Sequence, residues 1–355
     1  MIERFMRNDK DRPSARDGQQ NGTNDDSYFV KFLHWIITLD TYDGSSRNYG
    51  RMTETTNYTF FFGGRVRTVT KTSVYSIVVF AMFIVPLILF SIFECNYLWH
   101  HKGTNWKPAI VILYYFYLLT ICSFLRAACS DPGIVPRNVH IPDLNASYKI
   151  PQEYYNYAIL PTKNPNASVS MKYCQTCRIW RPPRSAHCSV CDVCVLSHDH
   201  HCKWLNNCIG KRNYRFFLEF LMASTISCIL LILLSSFRLS YSPQVRYTPV
   251  SLLIICYCGL GIWYPLILFI YHIFLAGTQQ TTHEYLRSIG SKHPIFHKIT
   301  RNRDSPYDRN SMFFNLIHLW FQERGWNLVD PRRKQHYPAD IRFRKLPEAH
   351  SFETV

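Results

Sequence analysis

The chain has 355 residues and carries 40 Lys and Arg against 24 Asp and Glu, which gives a formal net charge of +16. Its length would allow two soluble domains, but the apolar residues are concentrated in four long runs, and this pattern excludes an ordinary soluble protein. The basic surplus and the 13 cysteines must therefore be explained together with a membrane.

The N-terminal segment is polar and lacks the apolar core of a cleavable signal peptide. Residues 1–27 are rich in Asp, Arg, Asn and Gln, and we expect them to be disordered. In 28–39, large apolar residues recur at spacings of three and four, which predicts an amphipathic helix. This helix would lie on the membrane surface, on a partner or on the chain's own cytosolic domain.

The rest of the segment 28–72 contains two β-prone runs, 58–62 and 65–70. They flank Gly63-Gly64, which is the composition of a two-residue hairpin turn. We predict a short scaffold hairpin directly before the first apolar run.

Four apolar runs are each long enough to cross a bilayer as a helix, namely 73–93, 108–128, 216–237 and 250–272. About 20 apolar residues span the hydrocarbon core. The only charged residues within the runs are Arg126 and Glu219, each near an end where it can reach the headgroups. Helices buried in a soluble protein would need polar stripes that these runs lack. We therefore predict an all-α membrane protein with four transmembrane helices.

The distribution of charge predicts the orientation of these helices. An even number of spans places both termini and the loop 129–215 on one side. The loops 94–107 and 238–248 contain two Lys or Arg each, whereas 129–215 contains 11 and 273–355 contains 13. Segments rich in Lys and Arg face the cytosol. Anionic lipid and acidic partners account for the positive charge, so no nucleic-acid partner is expected.

Four Asn-x-Ser/Thr sequons occur, and all of them fall in segments that we predict to be cytosolic. We expect none to be glycosylated. They begin at Asn21, Asn57, Asn145 and Asn166.

The loop 129–215 begins with a sharp turn. Pro132 ends the second helix and Gly133 permits the chain to reverse, so Asp131-Pro132-Gly133 predicts a structural elbow at the cytosolic face. An extended linker follows to about residue 171. The cysteine-rich part of the loop then occupies about 172–215.

Seven of the 13 cysteines lie between Cys174 and Cys208. Cytosolic thiols are kept reduced, so these cysteines should bind metal or do chemistry instead of forming disulfides. Two Cys-x2-Cys pairs have the spacing of zinc knuckles. Without Cys202, six cysteines and two histidines remain, enough for two closed Cys3His sites, which are structural in character. The spacing alone does not decide how the ligands pair.

Cys202 is the cysteine left over, and Asp199 and His200 stand immediately before it. A thiolate is a nucleophile, an imidazole can accept its proton, and a carboxylate can orient that imidazole. The pattern predicts a reactive cysteine with its base. On spacing alone, a third metal site or an inert cysteine remains open.

The block from Cys174 to Cys208 with Asp199-His200-His201-Cys202 closely resembles the DHHC protein S-acyltransferases. The resemblance extends over roughly residues 57–320. Asp131-Pro132-Gly133 matches the family's DPG motif, and Thr281-Thr282-His283-Glu284 matches its TTxE motif. In the segment 273–355, Pro306-Tyr307 with Asn315 looks like its C-terminal palmitoyltransferase motif.

The resemblance implies a role for each of these residues. Cys202 would take the acyl group from palmitoyl-CoA, His200 would be the base, and Asp199 would polarise His200. Thr282 would support Asp199, and Trp204 would line the mouth of an acyl cavity that the four helices enclose. The resemblance further implies two structural Zn²⁺ ions, one held by Cys174, Cys177, His187 and Cys194, the other by Cys188, Cys191, His201 and Cys208.

One position departs from the family pattern, because Lys203 follows the reactive cysteine where the family usually has Pro. The loss of Pro frees a backbone angle, and the cation could favour the thiolate or the phosphates of CoA. The loop could equally need help to hold its shape.

Within the family, the 131–138 segment, Gly63-Gly64-Arg65 and Lys211-Arg212-Asn213-Tyr214 look most like the fungal Ras palmitoyltransferases. That likeness implies a location in the endoplasmic reticulum membrane, a small accessory regulatory subunit, and lipidated Ras proteins as substrates. A zinc-stabilised membrane adaptor or pseudoenzyme without acyl transfer is the main alternative, and a metal-dependent hydrolase is another.

Overall fold

The computed structural model describes residues 56–62, 66–70, 74–101, 105–137, 158–161, 168–289, 307–309 and 311–322. These residues are mostly helical, with short strands before the first long helix and in the loop between the second and third. The predicted disordered segment 1–27, the amphipathic helix 28–39 and the Gly63-Gly64 turn lie outside the described residues. Most of the linker before residue 168 and the tail after residue 322 also lie outside them.

Four helices are long and apolar enough to cross a membrane, which confirms the predicted architecture. They are span 1 (Val74–Phe93), span 2 (Lys107–Cys129), span 3 (Tyr214–Ser240) and span 4 (Pro249–Gly277). Short helices Cys95–His100 and Val245–Tyr247 lie in the two basic-poor loops. Helices Thr282–Ile289 and Met312–Phe321 follow span 4.

Span 4 differs from the predicted run 250–272 in two ways. It consists of two helices, Pro249–Gly261 and Trp263–Gly277, which meet at Ile262. Pro265 has no N–H to donate to the carbonyl one turn earlier, so the helix is interrupted there. The second helix also continues past His272 to Gly277, and Gln279 with φ 53° then redirects the chain.

Span 3 lies at the centre of the bundle and packs against span 2 and both halves of span 4. Its small residues Ala223, Ser224 and Ser227 are buried, which lets a neighbouring backbone approach closely. The hydroxyls of Ser227 and Thr120 on span 2 lie 3.5 Å apart. Span 1 is peripheral: only Pro86 and Phe90 of its 20 residues are buried. Its exposed apolar side chains suit contact with lipid.

All strand pairs in the described residues are antiparallel. The N-terminal hairpin pairs Tyr58–Phe61 with Val66–Val69. Within the loop between spans 2 and 3, Ala158–Pro161 pairs with Ser168–Met171, and Tyr173–Cys174 pairs with Ile179–Trp180. A three-stranded sheet contains Ile134–Val135, Val193–Val195 and Ala186–Cys188. The last pair, His200–Cys202 with Asn207–Ile209, is called the reactive hairpin below.

The elbow after span 2 is organised around the carboxylate of Asp131. Its Oδ1 accepts hydrogen bonds of 3.0 Å from the backbone N–H groups of both Gly133 and Ile134. Arg67 of the N-terminal hairpin and Arg212 before span 3 form ion pairs with the same carboxylate at 3.3 and 3.0 Å. Gly133 has φ 106°, a conformation in which other residues are strained. The elbow thus joins three segments that are distant in sequence.

The N-terminal hairpin docks on the cysteine-rich part of the loop. The backbone N–H of Asn57 donates to Cys191 O at 3.1 Å, and its side-chain amide donates to Val190 O at 2.8 Å. Asn206 donates from Nδ2 to Val69 O at 3.2 Å. The scaffold role predicted for this hairpin therefore has a defined target, which is the second cysteine pair and the turn of the reactive hairpin.

Candidate active site and metal centres

The first metal-ligand cluster contains Cys174, Cys177, His187 and Cys194. The three sulfurs lie 3.6, 3.4 and 3.9 Å from Nδ1 of His187. Zn–S bonds of about 2.3 Å and Zn–N bonds of about 2.0 Å in a tetrahedron put sulfur and nitrogen about 3.5 Å apart. The side chains are therefore spaced as the ligands of one tetrahedral ion would be.

The second cluster contains Cys188, Cys191, His201 and Cys208. Nδ1 of His201 lies 3.3 Å from the sulfur of Cys191 and 3.7 Å from that of Cys208. None of the 13 cysteines forms a disulfide. These donor sets fit zinc in type, number and spacing, and the two groups are the ones that the family resemblance implies.

The carboxylate of Asp192 lies next to the second ring nitrogen of His187. Its Nε2 lies 3.5 Å from Oδ1 of Asp192, whose Oδ2 pairs with Arg137 at 2.6 Å. A carboxylate on the second ring nitrogen fixes the tautomer in which the first nitrogen is free to bind metal. This arrangement favours Nδ1 of His187 as the ligand atom.

The reactive hairpin separates the two adjacent histidines. Successive side chains of a strand point to opposite faces, so His200 and Cys202 share one face and His201 occupies the other. His201 pairs directly with Cys208 across the hairpin, which brings both into the second cluster. The opposite face, with His200 and Cys202, is directed toward the helix bundle.

Asp199 and His200 form a tight pair. Nδ1 of His200 lies 2.7 Å from Oδ2 of Asp199, and the backbone N–H of Thr282 donates to Oδ1 at 2.8 Å. Asp199 is 2% exposed. Burial opposes ionisation of its carboxyl, but the interactions with His200 and the N–H of Thr282 prevail and hold the pKa of Asp199 below its usual value.

The imidazole of His200 is basic in this setting. Burial lowers its pKa, but the hydrogen bond with Asp199 and the interaction with Cys202 outweigh burial and raise the pKa of His200 to about 9. Cys202 is buried, and its sulfur interacts with His200. The three side chains thus have the order carboxylate, imidazole, thiol that nucleophilic catalysis uses.

An apolar cavity of about 730 Å³ opens beside Cys202. Its walls come from all four spans, for example Val79, Tyr117, Phe220 and Leu268. Ligand sites in proteins commonly have volumes of about 300–1,000 Å³. The cavity is therefore large enough for a ligand with a long apolar chain.

The three residues predicted to contact acyl-CoA or to support the site, Lys203, Trp204 and Thr282, all line this cavity. Trp204 is half-exposed and packs edge-on against Tyr75 and Tyr264, at ring-centroid distances of 5.4 and 5.9 Å. Lys203 is exposed. Thr282 approaches Asp199 with its backbone N–H, so the support predicted for this residue comes from the main chain.

The Thr281-Thr282-His283-Glu284 motif forms the start of a helix. The N–H of Glu284 donates to Oγ1 of Thr281 at 3.1 Å, and the N–H of Thr281 donates to Oε2 of Glu284 at 2.9 Å, which is a capping box. Arg184 donates to both oxygens of Glu284, at 2.8 and 2.7 Å, and stacks on Tyr307. The cysteine-rich part of the loop is thereby tied to the motif that holds Asp199.

Asn315 is the second residue of the predicted C-terminal motif, and it is fully buried. Its Nδ2 donates to Gly277 O at 2.7 Å and to Asp308 at 2.9 Å, and its Oδ1 accepts from the N–H of Arg309. Asn315 therefore fixes the Met312–Phe321 helix to the C-terminal end of span 4.

Sequence reasoning missed two residues next to this site. His272 lies with Asp199 and His200 in a group whose ligand atoms are within 4.8 Å of one another. A histidine inside a predicted membrane span was the available signal, because ionisable groups are rare there. Arg184 lies between the two Cys-x2-Cys pairs, and nothing in the local sequence predicts its partner Glu284, which is 100 positions away.

Comparison with known proteins agrees with this geometry. A protein-family model described as DHHC palmitoyltransferase matches residues 167–289 of the chain. The chain is 49% identical over 328 residues to Palmitoyltransferase ERF2 of Eremothecium gossypii, covering 92% of this chain and 89% of the relative. It is 45% identical over 344 residues to Palmitoyltransferase ERF2 of Saccharomyces cerevisiae, covering 95% and 94%.

A vertebrate relative is more distant. Palmitoyltransferase ZDHHC9 of Pongo abelii is 34% identical over 247 residues, which covers 64% of this chain and 66% of the relative. With nearly full-length similarity to the two fungal relatives and the family match across the site, the chain belongs to the DHHC palmitoyltransferase family and is a protein S-palmitoyltransferase.

Proposed function

We propose that the chain moves a palmitoyl group from palmitoyl-CoA to cysteine thiols of lipidated Ras-type proteins, by way of a thioester on Cys202. The observation that carries the proposal is the position of the Asp199–His200 pair and Cys202 at the edge of the apolar cavity. The reacting sulfur and the space for an acyl chain are thus in contact.

The reaction has two half-reactions with one base. His200 takes the thiol proton of Cys202, and the sulfur attacks the thioester carbonyl of palmitoyl-CoA. The carbon–sulfur bond to CoA breaks, and the CoA thiolate takes the proton from His200. A substrate thiol then gives its proton to His200 and attacks the acyl group, and Cys202 leaves as the thiolate that is protonated again.

Asp199 acts through His200. Its hydrogen bond fixes which ring nitrogen carries the proton and stabilises the imidazolium that forms in each half-reaction. The second nitrogen of His200 is then the one that exchanges protons with sulfur. The backbone of Thr282 keeps the carboxylate in place.

Two structural Zn²⁺ ions would hold the loop that presents Cys202. Each Cys3His set offers four ligands, so a bound Zn²⁺ would supply a fixed crosslink there and would have no open coordination position. His201 and Cys208 lie on the two strands of the reactive hairpin, which makes the second site a direct anchor of the strand that carries Cys202.

The substrate binds at the boundary between lipid and cytosol. An acyl chain is insoluble in water, whereas CoA carries phosphates, so a cavity inside the bundle with basic residues at its cytosolic end separates the two parts. Lys203 and Trp204 are our candidates for contact with acyl-CoA at the mouth. The basic cytosolic segments agree with an orientation in which both termini and the metal clusters face the cytosol.

Location and partners rest on motif likeness. The DPG continuation and the Lys211-Arg212-Asn213-Tyr214 sequence support a place among the fungal Ras palmitoyltransferases, in the endoplasmic reticulum membrane with a small accessory subunit. A prenyl chain alone anchors weakly, and palmitate would add the second anchor. An adaptor without acyl transfer would have no use for a nucleophile beside an apolar cavity.

The first experiment is acylation of the purified protein with labelled palmitoyl-CoA, with and without the accessory subunit. We expect a hydroxylamine-labile label that disappears in Cys202→Ser and remains in the matched variant Cys256→Ser, whose cysteine is exposed on span 4. No label in the wild type with the accessory subunit present would reject the transferase proposal.

A second experiment tests the substrate class. The acylated protein is mixed with a cysteine peptide from a Ras-type C-terminus, either prenylated or not, in vesicles. We expect transfer to the prenylated peptide to be faster, because prenylation brings the thiol to the membrane. Equal rates for both peptides would remove the preference for lipidated substrates but would leave the transferase activity intact.

A further inference from the structure

His272 is an ionisable residue in the second helix of span 4, and it is 2% exposed. Such residues in membrane spans face the bundle interior and pair with other polar groups. Its Nδ1 lies 3.1 Å from the hydroxyl oxygen of Tyr214, the first residue of span 3. The two residues therefore link spans 3 and 4 at their cytosolic ends.

This contact holds the ring of His272 in place. The Tyr214 hydroxyl lies 3.1 Å from Nδ1 of His272 and donates to the backbone carbonyl of the same residue at 3.5 Å. Tyr214 therefore contacts both the side chain and the main chain of His272, and this fixes the orientation of the ring.

The ring of His272 packs against the catalytic imidazole. The ring centroids of His272 and His200 are 5.9 Å apart, and both rings meet Phe217 edge-on, at 4.9 and 5.5 Å. The three rings thus contact one another pairwise. Asp199 is hydrogen-bonded to Nδ1 of His200. The packing of His272 and Phe217 against the His200 ring limits the rotation of that ring about this hydrogen bond.

We propose that His272 is a positioning residue, which Tyr214 orients and which holds the imidazole of His200 toward Cys202 from the membrane side. The inference rests on the proposed function, because it assigns His200 as the base. His272 does not exchange protons with either sulfur. Its contribution is to keep the reacting groups in the geometry that the transition state needs.

Two other roles for His272 fit less well. A metal ion shared by Asp199, His200 and His272 would separate its ligand atoms by about 3.4 Å, given metal–ligand bonds of about 2.1 Å. The 2.7 Å between His200 and Asp199 is a direct hydrogen bond instead. His272 also lines the cavity. An experiment therefore has to distinguish positioning of His200 from a role limited to binding the acyl chain.

The test compares two variants of His272 in single-turnover acylation of Cys202 by palmitoyl-CoA. His272→Phe keeps an aromatic ring and removes both nitrogens, whereas His272→Asn keeps an acceptor close to the position of Nδ1. His100→Phe is the matched control, because His100 is exposed and, among the residues that the structure describes, hydrogen-bonds to the carbonyl of Asn96 in its own helix. Metal content and elution as a single species are measured for each variant.

We expect His272→Phe to lower the maximal acylation rate about tenfold or more, with less than a threefold change in the palmitoyl-CoA concentration at half-maximal rate. His272→Asn should recover part of the rate, and Tyr214→Phe should remove that recovery. The His100→Phe rate should equal that of the wild type.

Three results would overturn the inference. A raised half-saturating concentration with an unchanged maximal rate would make His272 a cavity wall only. A metal content that falls by one ion in His272→Phe would make the group a metal site. Equal loss in the Phe and Asn variants would show that Tyr214 does not orient residue 272, which contradicts the proposal. Failure of the wild type to form acyl-Cys202 would instead reject the proposed function.

Discussion

Tyr58 donates a 2.8 Å hydrogen bond from its hydroxyl to Oδ1 of Asn207, the residue that pairs with Cys202 across the reactive hairpin. The two residues are 149 positions apart in sequence. The amide of Asn207 also donates to the carbonyls of Ala127 and Ser130, at 3.1 and 2.9 Å. The residue opposite the nucleophile is therefore held between the N-terminal hairpin and the end of span 2.

Tyr58→Phe would leave Oδ1 of Asn207 buried without its donor. An unpaired buried acceptor costs about 1–3 kcal/mol. We expect a lower thermal midpoint and a several-fold slower acylation of Cys202, measured with labelled palmitoyl-CoA. Thr59→Ala is the control, because Thr59 bonds to Thr70 on the outer side of the same hairpin. Wild-type rate and stability in Tyr58→Phe would show that the hairpin does not support the site.

Removal of a ligand from the second cluster should affect one metal ion only. We expect two Zn²⁺ ions per chain in the wild type and in Cys202→Ala, measured by elemental analysis, and about one in Cys191→Ala. Cys191 lies 3.3 Å from Nδ1 of His201 and 3.4 Å from the sulfur of Cys208. Loss of zinc from Cys202→Ala would mean that Cys202 is a ligand and that the assignment of the clusters is incorrect.

Glu284→Gln should slow acylation although Glu284 touches neither the thiol nor its base. The substitution removes the negative charge that accepts two hydrogen bonds from Arg184. It also weakens the helix cap that positions the N–H of Thr282 to donate to Asp199. We expect about a tenfold lower maximal rate. Arg184→Lys should have a similar effect, since Lys cannot form the bidentate pair. A full rate in both variants would contradict this linkage.

Lys203 offers a direct test of how the cation beside Cys202 acts. It lies on the turn of the reactive hairpin, and no carboxylate pairs with it among the described residues. If it binds the phosphates of CoA, Lys203→Gln should raise the half-saturating palmitoyl-CoA concentration several-fold, and Lys203→Arg should restore it. An unchanged concentration with a lower maximal rate would indicate an effect on the thiol.

The predicted orientation can be tested at the sequon of Asn57. The side-chain amide of Asn57 donates to Val190 O, so a glycan there would separate the N-terminal hairpin from its docking site. We expect no mobility shift on glycosidase treatment of the native protein. As a positive control, a flexible Gly/Ser insertion carrying the same Asn-Tyr-Thr tripeptide after Gln244 should be glycosylated. A shift in the native protein would reverse the topology.

The sequence predicted the four spans and the Cys/His-rich loop between spans 2 and 3, because both signals are local. Hydropathy depends on about 20 consecutive residues, and the Cys-x2-Cys pairs are knuckles by spacing alone. The pairing of Cys194 with Cys174 and of Cys208 with Cys188 followed only from family resemblance. It depends on strand pairing, such as His201 with Cys208, and two- or three-residue strands leave too weak a pattern to predict.

What the sequence could not supply was contact between distant segments. Arg184 and its partner Glu284 are separated in the sequence by spans 3 and 4. The hydrogen bond of Tyr58 forms only when the N-terminal hairpin docks on the reactive hairpin. The break at Ile262 also went unpredicted, because hydropathy is unaffected by an interruption of the helix. His272 was counted as the last residue of a span, and only packing shows that it meets His200.

The docking of the N-terminal hairpin also imposes an order on biosynthesis. Asn57 finds its partner Val190 only after 133 further positions have been translated, and two spans lie between them. Translation proceeds at about 5–20 residues per second, so the N-terminal hairpin stays undocked for on the order of ten seconds until its binding surface has been synthesised. During that interval the side chain of Arg67, which ends buried against Asp131, has to remain hydrated. Insertion of spans 1 and 2 must therefore precede closure of this contact, and the N-terminal hairpin stays undocked until the cysteine-rich part of the loop has been synthesised.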